Sequence, residues 1–416
     1  MLTWIKLGYL NLRKNKRRSL FTLGAIAFGF AAINLLGGFS NYIFNALEDG
    51  YVYARGNGHL SIFKKGFHRE GLINPASYLL NEKELQEISA LCRQDPRVII
   101  STPQLNISGL ISNGKISTIM MAEGREPDNM RAIRHLGHGF TSKLKLFRGH
   151  ELRDEPRYQI GVAKGLAGNF NLKIGDNVVA MTTTADGFMN AFDAGIVQTI
   201  DAPLEILDNL LVSMPLRFAQ ELYDTRGADR LNLLLKNAEL SYPMKKQLEQ
   251  QLTARGFNVE IFTWDQLRPS YLKIRNMFNV IFTFVFIIVL AIVALSVVNT
   301  ISMAVLERTR EIGTLRALGL KRSGVVRIFA IEGTLLAAGG SLCGLFLTLM
   351  GWVAITILQP SWTPPTIPKE VPLEIHLVPW LMIISCLAMI GLAAVASIIP
   401  ARRAGHLRII DALRHI

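Results

Sequence analysis

Few residues in this chain carry ligand or catalytic chemistry, and they are scattered. His135 and His138 stand three apart, a spacing that suits a metal pair. Gly137 and Gly139 argue for a loop there, and no third ligand has a metal-site spacing. Cys92, Cys343 and Cys386 form no CxxC and no Cys/His set, and the last two sit inside apolar runs. No HExxH, GxSxG or GxxxxGK[ST] stretch occurs, so the expectation is no metal, no catalytic residue and no nucleotide site in this chain. One carboxylate is out of place. Glu332 lies within an otherwise uncharged apolar run, five residues and roughly 7.5 Å along a helix from Arg327. Such a charge is a functional candidate by default, or it snorkels or pairs with a basic residue at the run's edge.

The densest chemistry lies in Met303–Gly319, MAVLERTREIGTLRALG. Read as a charged helical continuation of the preceding apolar run, it sets Glu307, Arg310, Glu311, Thr314 and Leu318 on one stripe. Ile312, Leu315 and Gly319 form a neighbouring, more apolar stripe, with Arg316 beside it. A short exposed amphipathic helix of this kind fits a groove on a partner protein, or it is a solvated connector.

The elements around these residues follow from composition. Of 416 residues, 50% are hydrophobic and only 19% charged, and mean hydropathy is +0.28. That is too apolar for an ordinary soluble chain and the opposite of a disordered one. Four runs are long enough for a hydrocarbon core of ~30 Å, which needs about 20 residues: 20–47, 276–306, 328–358 and 377–400. The first follows Arg13-Lys14-Asn15-Lys16-Arg17-Arg18 and is too long for a cleaved signal sequence, so it reads as a signal anchor.

Charge orients these spans. The segments 1–19, 307–327 and 401–416 hold sixteen basic and three acidic residues, which is the whole formal net charge of +13. Segment 48–272 holds 26 of each sign. Basic flanks mark the cytoplasmic side. The expected layout therefore has a cytoplasmic N-terminus (1–19), coupling loop (307–327) and tail (401–416). A large domain (48–272) and a short loop (359–376) lie outside. Basic residues that flank spans, with no aromatic-interleaved groove, do not indicate nucleic-acid binding.

The large outer segment is globular α+β sequence. Strands are expected near 59–63, 97–101, 105–111, 115–122, 177–182, 196–200, 210–213, 230–235 and 259–263, and helices at 81–94, 162–170, 215–223 and 243–255. Asn81 with Glu84 three residues on has the form of a capping box. The mix suggests two lobes, divided around 125–155 and around 200–245.

Several stretches together resemble one family. Glu307-Arg-Thr-Arg-Glu-Ile-Gly313 with Leu315-Arg-Ala-Leu-Gly319 is similar to the loop of MacB/FtsX-type ABC transporter permeases. Asn15-Lys-Arg-Arg-Ser19, Pro400-Ala-Arg-Arg-Ala404 and Asp411-Ala-Leu-Arg414 are similar to that family's start and tail, although the tail lacks a proline frequent before Asp-Ala-Leu. Gly161–Ala167 and Leu172–Asp176 are similar to its periplasmic core, and the one-plus-three layout of spans agrees. In layout the chain is nearest the lipoprotein-releasing LolC/LolE permeases.

The resemblance implies a non-catalytic permease in a bacterial inner membrane, both termini cytoplasmic. It implies a separate ABC ATPase that holds ATP and Mg, docked on the 307–319 stripe, with no cofactor in this chain. A second permease copy or paralogue, membrane lipid, and a periplasmic adaptor or lipoprotein chaperone are the other implied partners. The spans offer almost no polar lining, which favours an amphipathic cargo, lipoprotein above all. Phe39, Tyr42 and Ile43 on the first span and Tyr271, Met277 and Phe278 on the second would receive it, unless they are interfacial packing residues. Small residues four apart (Gly333, Ala337, Ser341; Gly340, Gly344; Ala25, Gly29) allow close helix approach. Two alternatives stay open: an FtsX-like transmitter that regulates a cell-wall hydrolase, and an exporter of peptides, antibiotics or siderophores. A membrane receptor without an ATPase is a further class.

Overall fold

The computed structural model of the chain describes residues 16–71, 73–144, 147–202, 207–362, 370–406 and Ala412. The basic start before Lys16, Pro364 and Pro365 of the short loop, and the tail residues 407–411 and 413–416 lie outside them. The chain divides into two compact units.

The helical unit comprises residues 1–44, 274–361 and 372–416. Its helices are α1 (Lys16–Asp49), whose last residues pass into the other unit, and, further along the chain, a pair separated by a short helix and a fourth near the end. In chain order after the sheet unit's own helices these are α8 (Pro269–Glu307), α9 (Thr309–Ala317), α10 (Arg322–Leu358) and α11 (Pro379–His406). By length and composition α1, α8, α10 and α11 can each cross a membrane. They pack through one apolar seam: Ile26, Phe30 and Ile33 of α1, Val289, Val293, Val297 and Ile301 of α8, Phe329, Leu336 and Ala337 of α10, and Met389, Ala393 and Ala396 of α11. The four-residue repeat on α8 is a helix face.

Glycine permits the closest approaches in that seam. A Cβ on Gly340 would lie 2.6 Å from Ile26 Cβ, one on Gly344 2.7 Å from Phe30 Cβ, and one on Gly333 2.9 Å from Ser397 Cβ. The small-residue spacing on α10 thus receives α1 and α11 within the unit. Polar side chains inside the seam find each other: Thr22 and Thr300 hydroxyls are 2.5 Å apart, and Asn34 Nδ2 donates to Phe30 O at 2.8 Å and Ser385 Oγ at 3.1 Å.

The sheet unit comprises residues 45–273 and 362–371. Its strands are β1 (Leu60–Lys64), β2 (Val98–Ser112), β3 (Ser117–Arg125), β4 (Phe147–Gly149), β5 (Gln159–Ala163), β6 (Asn177–Thr183), β7 (Met189–Ile200), β8 (Leu211–Pro215), β9 (Arg230–Leu235) and β10 (Val259–Thr263). They form one mixed sheet in the order β10-β1-β9-β2-β3-β8-β5-β7-β4, with β6 against β2 and β7. The two expected lobes are therefore joined. β2 alone spans both: its first half pairs with β9 and its second with β3 and β6.

What does divide is the core. Besides a single turn at Phe67–Glu70, the α-helices described in this unit are α2 (Glu82–Arg93), α3 (Pro127–His135), α4 (Phe140–Lys143), α5 (Lys164–Asn169), α6 (Leu216–Tyr223) and α7 (Ser241–Ala254). α2 and α7 cover β1, β9 and β10 through Leu85, Ile88, Met244, Leu248 and Leu252. α5 and α6 cover the other strands through Leu166, Leu216, Phe218 and Leu222. The capping box forms: Glu84 N donates to Asn81 Oδ1 at 2.8 Å, and Asn81 N to Glu84 Oε2 at 2.9 Å. The helix expected over 162–170 begins two residues later, because Val162 and Ala163 complete β5.

Candidate functional site

The stretch between α8 and α10 is built around a break. α8 ends at Glu307; Arg308 leaves helical geometry (φ −114°, ψ 17°) and α9 starts at Thr309. The sequence reads as an unbroken helix here. Thr309 Oγ1 instead turns back to the carbonyls of Val305 (3.0 Å) and Leu306 (3.1 Å), which satisfies groups freed by the break. At the other end Gly319 takes φ +97°, a left-handed conformation glycine adopts without steric cost, and the chain turns into α10.

The break separates the expected stripe into two roles. Arg310, Glu311, Thr314, Leu315 and Leu318 are exposed, Leu318 at 81%. Arg316 is half-buried and Gly319 exposed. Ile312 is buried, as is Gly313, and packs into the seam of the helical unit. Glu307, left on α8, binds Arg18 of α1 in a two-pronged pair at 3.1 and 3.3 Å.

Behind the break lies a second pair. Arg308 Nη1 donates to Glu332 Oε2 at 3.5 Å, with both side chains almost wholly buried. Glu332 is thus paired with a basic residue, one from α8's end rather than from its own helix. Together the two pairs tie α1, α8 and α10 at the point where α9 begins. Sequence reasoning named Glu307 and Glu332 but not Arg18 or Arg308 as their partners. A basic residue's burial depends on helices far apart in sequence, and Arg308 looks like any loop arginine.

The aromatic residues at the other ends of α1 and α8 fall into two groups. Phe39 lies 6.4 Å from Tyr42 and 6.3 Å from Phe278 between ring centroids, and Phe44 is 5.9 Å from Phe278. Tyr42 is buried, donates to Pro372 O at 2.6 Å and meets His376 edge-on. Ile43 is half-buried, and Met277 is exposed. Tyr271 belongs to the sheet unit, with its ring 4.5 Å from that of Trp264.

Sequence reasoning missed how the sheet unit takes up the ends of these helices. α1 continues as a π-helix over Gly50–Ala54, and Val52, Ile133, Leu234, Trp264 and Tyr271 form one buried cluster with Leu47, Tyr51 and Leu272 against it. Asp49 accepts from Gly139 N at 3.0 Å and Ser142 N at 2.6 Å, so its carboxylate occupies the start of α4. Next to this junction His59 is fully buried; Nδ1 accepts from Leu235 N at 3.0 Å, and burial pushes its pKa down to about 4. Arg125, also buried, donates to Arg55 O, to Asn57 Oδ1 at 2.8 Å and to Glu123 Oε2 at 3.0 Å. His135 and His138 find no third ligand: among the described residues no group of three His, Cys, Asp or Glu is placed to hold a metal. Cys92 is buried and its thiol is pushed up to about 12, so it is inert at neutral pH.

Residues 283–409 match the family described as FtsX-like permease C-terminal. The macrolide export ATP-binding/permease protein MacB 1 of Yersinia pestis bv. Antiqua (strain Antiqua) is 29% identical over 187 residues, 44% of this chain and 27% of that protein. The chain thus spans about a quarter of the length of such MacB relatives. The lipoprotein-releasing system transmembrane protein LolC of Xylella fastidiosa (strain 9a5c) is 22% identical over 349 residues, 79% of this chain and 81% of that one. Among solved structures, the periplasmic region of MacB from Actinobacillus actinomycetemcomitans aligns with 52% of this chain and 94% of its own, with 14% identity and a TM-score of 0.37.

Proposed function

We propose that the chain is an ABC-transporter permease of the FtsX/MacB/LolC type, a multi-pass membrane protein that couples a partner's ATP hydrolysis to movement of its sheet unit. ATP and Mg would be bound by the separate ATPase, and this chain would add no catalytic group. The observation that carries the reading is the break at Arg308. It presents α9 as a short separate helix with one face exposed (Arg310, Glu311, Thr314, Leu315, Leu318), while Ile312 anchors its back in the seam. A surface mixing charge with apolar side chains suits a groove on a protein. Motion received there would pass to α1 and α8, the two helices whose far ends enter the core of the sheet unit.

Positive flanks support an inner-membrane chain with both termini cytoplasmic and the sheet unit outside. The apolar spans support an amphipathic cargo, lipoprotein first, received near Phe39, Tyr42, Ile43, Met277 and Phe278, with Tyr271 at the junction. The LolC relative, matched over most of both chains, favours that cargo over a macrolide. A second permease, copy or paralogue, and a periplasmic adaptor or chaperone complete the assembly.

Glu311→Lys tests the docking face. Reversing a paired charge at an interface costs about 1–3 kcal/mol, so recovery of the ATPase with the tagged permease should fall roughly tenfold or more at equal expression. An undiminished complex with undiminished turnover would remove α9 from the contact. Photocrosslinkers at Ile43 and Phe278, in cells whose ATPase cannot hydrolyse ATP, should trap an acylated protein or lipid. Trapping of no amphiphile, with altered cell-wall cleavage on deletion, would replace transport by the transmitter reading.

A further inference from the structure

Ion pairs occupy several arginines of the sheet unit. Arg97 pairs with Asp95, Arg131 and Arg134 with Glu151, Arg157 with Glu221, and Arg230 with Asp229. Arg55 and Arg268 depart from this pattern. Both are half-buried, and among the described residues neither guanidinium has a hydrogen-bond or ion-pair partner. Arg55 follows the π-helical turn Gly50–Ala54, and Arg268 immediately precedes α8. They converge on Tyr51. Arg268 Cζ lies 5.6 Å from the centre of the Tyr51 ring, and Arg55 is within electrostatic reach of Arg268 and Tyr51. Burial first, and then the charge of Arg268, holds the Arg55 pKa down to about 10. Arg125 stands beside them: its Nη1 donates to Arg55 O, and its buried Nε has no partner among the described residues. The carboxylate that acts on Arg55 is Glu123, and Arg125 Nη2 already holds it at 3.0 Å. The Tyr51 hydroxyl likewise has no hydrogen-bond partner among the described residues.

We propose that Arg55, Arg268 and the Tyr51 hydroxyl form a binding site for a phosphate-class oxyanion, free or borne on a lipid headgroup. The donor set selects the class. A guanidinium donates and never accepts, and the phenol hydroxyl adds one more donor. Part-buried charges without a counter-charge are costly, so a ligand that brings acceptors and negative charge relieves the site. A carboxylate would fill one guanidinium fork and leave the other open. A tetrahedral oxyanion has oxygens for both forks and for the hydroxyl. Arg55 and Arg268 both belong to the sheet unit, one just after α1 and the other just before α8. An anion held between them would brace the places where the chain enters and leaves that unit.

Phenylglyoxal, which modifies unprotected guanidinium groups, tests the site in the full chain. The protein is delipidated, placed in nanodiscs of a phosphate-free galactolipid, and labelled; peptide mass spectrometry reads Arg55 and Arg268, with exposed Arg69 as the control. Inorganic phosphate at about 50 mM, or phosphatidylglycerol mixed into the disc, should slow labelling of Arg55 and Arg268 roughly fivefold or more, as mass action requires of a mostly filled site, and leave Arg69 unchanged. Acetate at equal ionic strength should not protect. Protection by phosphatidylglycerol without added phosphate identifies a lipid headgroup as the source, and protection by inorganic phosphate alone identifies the free ion; either supports the site. Arg268→Lys keeps the charge and removes the fork, so protection of Arg55 should fall below about twofold. No protection by either phosphate source, equal protection by acetate, or protection that Arg268→Lys leaves intact would overturn the proposal. The first two of these outcomes are read on the unsubstituted chain, so they stand even if the variant does not fold. The labelling needs neither ATPase nor cargo, so its failure leaves the coupling role untouched.

Discussion

Removing one side of the buried Arg308–Glu332 pair should cost far more than removing both. The two charges lie 3.5 Å apart with side chains 9% and 3% exposed. At an effective dielectric of 20 their attraction is roughly 5 kcal/mol, set against several kcal/mol of desolvation per ion. The net value of the pair is therefore small, but its halves are not separable. Glu332→Leu strands the Arg308 guanidinium in the seam and should destabilise the helical unit by about 3 kcal/mol or more, and Arg308→Met should do the same to Glu332. The double variant replaces two charges with apolar groups of similar length and should lie within about 1 kcal/mol of the parent. Reversible unfolding of the detergent-solubilised chain by titrated SDS, followed by tryptophan fluorescence, measures all four species, and the coupling energy follows from the cycle. Single losses that simply add in the double variant, with coupling below about 0.5 kcal/mol, would refute the pair as a unit. Should coupling be present, the double variant also asks a functional question. If the pair only holds the fold, the double variant should keep ATPase stimulation. If it carries α9's movement into α10, stimulation should fall although stability is restored.

Two more outcomes follow from the same geometry. His59 has its folded pKa lowered from 6.5 to about 4, so the unfolded chain binds the proton more readily and stability rises with pH. Its contribution, about 3 kcal/mol, is complete above pH 6.5 and is lost as pH falls toward 4; urea unfolding of the chain at pH 7, 5.5 and 4 should show that loss, and His59→Gln should flatten it. In the helical unit, Gly340→Leu would drive a side chain into Ile26, whose Cβ lies 2.6 Å from the nearest substituent position, at a cost of about 1–3 kcal/mol. Gly391→Leu on α11, where nothing lies within 4 Å of the added atom, is the matched control; equal destabilisation by both would refute the steric account.

How much of this was legible in the sequence varies with the range of the interaction that decides it. β9 and β10 have the residues expected for them, because both are short apolar runs bounded by turn residues. The capping box was legible for the same reason, since Asn81 and Glu84 settle it between themselves. β5 was hidden because Gln159–Ala163 is buried throughout and lacks the alternation that marks a half-buried strand. The continuity of the sheet was also hidden, because it depends on β2 being one strand of fifteen residues, which reads as two with Pro103 between them. The break at Arg308 lies within a stretch of good helix formers, and it goes with contacts from afar: the Arg308 guanidinium is buried against Glu332, 24 residues on. At the candidate site the docking face was visible as a pattern of types. Ile312's inward placement and the Arg18–Glu307 clasp were not, because neither is decided by residues within a helical turn.

The pairing of β1 has a consequence for synthesis. Its partners are β9 and β10, so Leu60 meets Leu233 and Thr263, and the cluster around Val52 closes only with Trp264 and Tyr271. The first strand made is thus the last to be finished. At 5–20 residues per second, about 10–40 s separate the emergence of Lys64 from that of Tyr271. Throughout that interval Leu60, Ile62 and Phe63 are an apolar strand with neither neighbour, the kind of segment that aggregates or is captured by a holdase. The nascent chain therefore depends on protection of a five-residue stretch until the second membrane helix has begun to appear, and its yield in a cell should be set by that wait more than by the stability of the finished protein.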